Sequence, residues 1–116
     1  AKDHGRGNRI EGKLSKGEKV VVIEDLISTG GSAVEVVEAL REAGAEVLGI
    51  VSIFTYGMKK GLKRLSEAEI QNTSLTDFDS ILEIAAETGY IKKENISALK
   101  AFRDNPSDES WIKNIK

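Results

Sequence analysis

The thirteen residues VVVIEDLISTGGS at positions 20–32 constrain the fold more than any other feature: an unbroken apolar run, two adjacent carboxylates, a Ser/Thr/Gly turn, then an amphipathic pattern. Val20, Val21, Val22 and Ile23 are β-branched and apolar without alternation, which predicts a strand buried on both faces of a parallel sheet. Glu24 and Asp25 follow where that strand is expected to leave the sheet, at the carboxyl edge where open α/β folds bind ligands. Paired carboxylates there can accept hydrogen bonds from the vicinal hydroxyls of a ribose. The turn after them suits a phosphate. Gly30 and Gly31 let the backbone approach closely, Ser28, Thr29 and Ser32 add hydroxyls, and the helix opening there presents free N–H groups and a positive dipole end. A strand-turn-helix junction needs glycines and a capping Ser in any case, and adjacent acids are often a solvated strand end. A phosphate-binding turn accounts for both halves of the segment at once. Neither G-x-x-x-x-G-K-[ST] nor G-x-G-x-x-G after a strand occurs.

The rest of the chain reads as continued βαβ winding. Ala33, Val36, Val37 and Leu40 recur at helical spacing over positions 32–43, with Gly44 as the stop. Positions 47–54 form the next buried strand, so the unit is a right-handed crossover whose ligand edge includes residues 55–57. A short helix is expected over 58–65 and a third strand near 70–75, interrupted by the polar Gln71, Asn72 and Thr73. Thr76 is the expected N-cap of a helix with Phe78, Ile81, Leu82 and Ala85 on its apolar face, ended by Gly89. A last helix over 93–104 buries Ile96, Leu99 and Phe102 before Pro106, and Trp111 anchors the tail. No internal repeat or second domain is visible.

Composition narrows the function classes. With 17 basic and 19 acidic residues the net charge is −2, leaving no broad positive field to draw nucleic acid. The apolar runs are far too short to span a membrane. Zero cysteines and one histidine exclude a disulfide framework, a thiolate metal site and a histidine-rich metal centre.

Positions 20–32 resemble the phosphoribosyl-diphosphate (PRPP) motif of type I phosphoribosyltransferases, in which a hydrophobic strand, two acids and a T-G-G-like turn occur in this order. The opening AKDHGRGNRIEG, positions 1–12, is similar to the mobile catalytic loop of orotate phosphoribosyltransferases, and Gly5, Gly7 and Gly12 give it mobility. The resemblance implies an α/β fold, a Rossmann-like and mostly parallel sheet flanked by helices, with residues 1–116 forming one partial domain. It implies that the N-terminal part of the family's length is missing, including an upstream Arg-Lys pair, and that the isolated chain is inactive. By the same resemblance, Lys2 and His4 close over the diphosphate, and Glu24, Asp25, Leu26, Ile27, Ser28, Thr29, Gly30, Gly31 and Ser32 bind PRPP. A leaving diphosphate gathers negative charge in the transition state, where a Lys and a His delivered by a closing loop stabilise it most.

The resemblance further implies a cytoplasmic homodimer with Lys2 acting in trans, and Mg²⁺ held mainly through PRPP oxygens rather than by protein ligands. Orotate as acceptor would meet Ser28. Some family members place an Arg at the end of the second strand; this chain has Thr55 and Tyr56 there, which removes an obvious clamp for the orotate carboxylate. A purine-base phosphoribosyltransferase and a PRPP-sensing regulator without turnover remain alternatives, the latter disfavoured because sensing does not require Lys2 and His4. Phe54 and Tyr56 could stack on a base, though Phe54 is expected in the core. Lys59, Lys60, Lys63 and Arg64 are expected to be a solvated helix face, given Glu67 and Glu69 nearby.

Overall fold

A computed structural model describes residues 10–116. Three parallel strands, β1 (Lys19–Ile27), β2 (Glu46–Thr55) and β3 (Asn72–Asp77), lie in the order β1-β2-β3. They are joined by the crossover helices α1 (Gly31–Glu42) and α2 (Lys59–Glu67). Helices α3 (Phe78–Glu87) and α4 (Ile96–Asp104) follow, with short 3-10 turns at Lys93–Asn95 and Glu109–Asn114. This is the expected α/β arrangement.

The core lies on one side of the sheet. Val22, Ile27, Val47 and Ile50 from the strands meet Ala33 and Val37 of α1 and Leu65 of α2, all buried. Burial on both faces, expected from the apolar run, is not what the described residues show. Val21 and Ile23 are 47% and 73% exposed, beside the exposed Leu48, Val51, Ile53 and Leu75. The cause is topological. Both crossovers advance the sheet in the same direction, and right-handed crossovers then lay α1 and α2 on the same face.

Local chemistry sets the boundaries. Helix α1 stops where Gly44 turns to φ 96° and donates to the Arg41 carbonyl at 3.0 Å. Arg41 in turn donates to the Ala68 and Glu69 carbonyls at 2.6 and 3.1 Å, pinning the end of α2 to the end of α1. Strand β3 begins at Asn72 rather than Ile70, because the Ile70 N–H closes α2 on the Leu65 carbonyl and its side chain packs against the core. The polar residues that interrupted the pattern have a role: the buried Ser52 donates to Asn72 Oδ1 at 2.9 Å and also meets Ser74. At the other end of the chain Trp111 packs on Phe102 with ring centroids 5.4 Å apart, the anchor expected of it.

Helix α3 is capped by Asp77, not Thr76. Strand β3 remains paired to Asp77, opposite Thr55, so the first non-helical side chain able to turn back is the aspartate, which accepts the Ser80 N–H at 2.8 Å. That backbone bond, then the one from the Ser80 side chain, holds the Asp77 carboxyl below its ordinary pKa. A depressed folded-state pKa contributes stability above the unfolded value and loses it as pH falls through the folded one. Asp77→Ala is therefore expected to cost about 1 kcal/mol near neutral pH, with the difference from wild type shrinking below about pH 4. Urea melts at both pH values measure it; a pH-independent difference would remove the charge from the account.

Candidate functional site

The two acids sit inside β1 rather than beyond it. Glu24 is registered with Ser52, Leu26 with Phe54 and Ile27 with Thr55, because β2 is long enough to keep pairing two residues past Asp25. Glu24 is half-buried and Asp25 exposed. Neither side chain makes a hydrogen bond or ion pair with another described residue. Two consecutive carboxylates with their acceptor capacity unspent, near the carboxyl end of a strand, suit a polyhydroxylated ligand. Leu26 is 44% exposed, whereas Ile27 is only 3% exposed, belongs to the core and spends its carbonyl on the loop after β2.

The turn at residues 28–32 takes the chain from β1 into α1. Gly30 is the N-cap at φ 80°, ψ −3°, a left-handed conformation that disfavours a side chain, and its carbonyl accepts the Val34 N–H at 3.0 Å. No side chain caps α1 and no acid lies in its first turn, so nothing within the helix neutralises its positive end. Ser28, Thr29 and Ser32 line this end, half-buried, exposed and exposed in turn.

Behind the turn stands α2, in a role that the sequence pattern did not reveal. A Cβ at Gly61 would lie 2.6 Å from the Ser28 carbonyl oxygen, so only glycine admits this approach. Arg64 Nη1 donates to the Thr29 carbonyl at 3.1 Å. Arg64 is thus not merely solvated, as the basic cluster suggested; an unforced glycine inside a short helix was the available signal. Between α2 and β3 a cavity of about 360 Å³ reaches Ser28, Thr55 and Gly57.

Across the carboxyl edge, the Tyr56 N–H donates to the Ile27 carbonyl at 3.1 Å, which binds the post-β2 loop to β1. Tyr56 stands edge-on to Phe54 at 5.0 Å and lies 5.5 Å from Phe78. Phe54 is half-buried in this aromatic row and is not part of the central core cluster. Arg103 of α4 holds the same loop, donating to the Tyr56 carbonyl at 3.0 Å and pairing with Asp79 and Asp104 at 3.0 and 2.8 Å. Burial opposes its charge, but the bonds to Asp104 and Asp79 outweigh that and raise its pKa above the ordinary arginine value.

Lys2 and His4 lie outside the described residues. Among the described residues no cluster of three or more His, Asp or Glu could hold a metal ion, and no helix is long and apolar enough to cross a membrane. The donor set at Glu24 and Asp25 fits a cation carried mostly by ligand oxygens.

The family model for the phosphoribosyl transferase domain matches residues 7–86. A Bacillus cereus (strain G9842) protein named orotate phosphoribosyltransferase is 58% identical over 112 residues, 97% of this chain and 53% of that protein. The chain therefore spans about half the length of the curated relatives it matches. Among solved structures, Leishmania donovani UMP synthase matches with TM-score 0.71 and 29% identity, over 86% of this chain and 22% of its own. Orotate phosphoribosyltransferase from Aeropyrum pernix matches with TM-score 0.60 and 29% identity, over 66% and 45%. The family match covers β1, both acids and the glycine turn in one frame with the parallel sheet that carries them, and the chain belongs to the phosphoribosyl transferase domain family.

Proposed function

We propose that the protein carrying this chain transfers a phosphoribosyl group from PRPP to orotate, giving orotidine 5′-monophosphate and diphosphate in pyrimidine synthesis. Orotate as acceptor rests on one observation, the 58% identity over 97% of the chain with a protein named orotate phosphoribosyltransferase. The site residues suit the donor. Glu24 and Asp25 accept hydrogen bonds from the ribose hydroxyls, and the turn at 28–32 with the open end of α1 receives the 5′-phosphate. Ser28, bordering both turn and cavity, contacts the base. Lys2 and His4 stabilise the departing diphosphate, while the sugar passes through an electron-poor, oxocarbenium-like state held by position and electrostatics. Mg²⁺, bound mainly through PRPP oxygens, supplies charge neutralisation. A cytoplasmic homodimer whose loop reaches the neighbouring site, Lys2 acting in trans, completes the proposal.

The test is turnover of the protein with PRPP and Mg²⁺ against orotate, hypoxanthine and adenine in parallel. Orotate is expected to be the preferred acceptor by kcat/KM. Preference for either purine would replace the acceptor while keeping the donor site, and PRPP binding without turnover of any base would support a sensing role instead.

A further inference from the structure

Gly61 and Arg64 lie three residues apart in α2 and so share one face of that helix. That face lies against two successive carbonyls of the turn: Ser28 oxygen packs where a Gly61 Cβ would be, at 2.6 Å, and Thr29 oxygen accepts from Arg64 Nη1 at 3.1 Å. In a planar trans peptide the N–H points opposite to the C=O, and no cis peptide occurs among the described residues. The N–H groups of Thr29 and Gly30 therefore point away from α2, and neither has an acceptor among the described residues. Gly30 is held on the same side, since a Cβ there would meet the Gly61 backbone at 3.4 Å.

We infer that Gly61 and Arg64 are positioning residues for the phosphate-binding turn: from behind, they fix two peptide planes so that consecutive N–H groups face the anion. This deepens the proposed function and rests on its placing of the 5′-phosphate at residues 28–32. Neither side of the pair touches the ligand. Gly61 acts by leaving room for the Ser28 carbonyl; Arg64 acts by holding the Thr29 carbonyl back. Without them the turn has other peptide orientations open to it, and the amide donors must be reordered each time PRPP binds.

The 5′-phosphate persists from substrate to product, so weaker contact with it reduces ground-state and transition-state binding together and appears in KM. Arg64→Ala is expected to raise the KM for PRPP roughly three- to tenfold, the scale of one solvent-accessible hydrogen bond. The KM for orotate and kcat should stay within about twofold. Arg64→Lys, which can still donate to a carbonyl, should recover part of the loss. Gly61→Ala should raise the KM for PRPP by about tenfold or more, although alanine is the better helix former. Lys63→Ala on the same helix removes an equal charge from an exposed position and serves as the control.

Steady-state kinetics of the whole protein carrying this chain, as wild type and with each of these substitutions, with thermal melts alongside, separate the possible failures. A wild type that does not use PRPP defeats the proposed function itself. An active wild type whose PRPP KM is unmoved by Arg64→Ala, or whose two KM values rise alike, defeats the positioning role; so does equal weakening by Lys63→Ala. Should Gly61→Ala not fold, the three arginine and lysine variants still decide the matter.

Discussion

Asp25→Asn is expected to weaken PRPP binding by about 10- to 100-fold while leaving the melting temperature within about 2 °C of wild type. Asp25 lies in the last third of β1, exposed and without a side-chain partner among the described residues, so no internal bond is lost with its charge. Surface changes of that kind usually stay within about 0.5 kcal/mol. Toward ligand the change is far larger. A carboxylate accepts two ribose hydroxyls through charge-assisted bonds, each worth about 1.5–3 kcal/mol, whereas an amide offers one neutral oxygen and turns a donor toward the other hydroxyl. Titration calorimetry with PRPP and Mg²⁺, beside thermal melts, reads both quantities. Unchanged affinity in a folded variant would take Asp25 out of the ribose site. A large drop in melting temperature would instead mark the residue as structural.

Glu24→Gln should be milder in affinity, because Glu24 is half-buried beside its register partner Ser52 and has less freedom to follow a ligand. The contrast between the neighbours shows how far the sequence speaks for itself. The order strand, acids, glycine turn and helix was legible because each piece has a local signature: β-branching, adjacent charge, left-handed glycine and 3.6-residue periodicity. The point at which β1 ends was not, since pairing past Asp25 depends on β2 and no residue of β1 records the length of its neighbour. Thr76 was the expected cap and Asp77 is the actual one for the same reason: the pairing of Thr55 with Asp77 carries the strand one residue further.

Burial was legible only by halves. Val21 and Ile23 carry the apolar character of a strand covered on both sides, while α1 and α2 cover one side, because handedness of the crossovers rather than hydropathy chooses the face. Long-range bonds were the least legible part. Arg64 reaches Thr29 across 35 positions and Arg103 reaches Tyr56 across 47, and a charged residue on a short amphipathic helix looks the same whether it meets water or a distant carbonyl. Both arginines hold loop carbonyls at the carboxyl edge, one behind the turn at residues 28–32 and one behind the loop after β2. The two helices thereby brace two walls of the carboxyl edge, the turn after β1 and the loop after β2.

The second wall is the more heavily bonded, and Arg103→Met is expected to destabilise the protein by about 2–3 kcal/mol. The arginine side chain is only 12% exposed and serves the Tyr56 carbonyl, Asp79 and Asp104 together, with its guanidinium 5.7 Å from the centre of the Phe78 ring. Methionine replaces much of the apolar stem and none of these bonds. Asp79 and Asp104 are 51% and 49% exposed, so they regain water when the arginine goes, which keeps the cost below that of stranding a buried charge. The Tyr56 carbonyl loses its only side-chain donor among the described residues, at the point where its own N–H binds the Ile27 carbonyl and Gly57 follows at φ 70°. Under the proposed function this loop borders the base, since Thr55 and Gly57 line the same cavity as Ser28. The variant should therefore raise the KM for orotate more than that for PRPP, the opposite split to Arg64→Ala, in addition to its lower stability. Urea melts and steady-state kinetics at a temperature where both proteins are folded test the two parts separately. A melt unchanged within about 0.5 kcal/mol would show that water replaces the whole network, and a selective rise in the PRPP KM would mean that α4 supports the phosphate turn rather than the opposite wall.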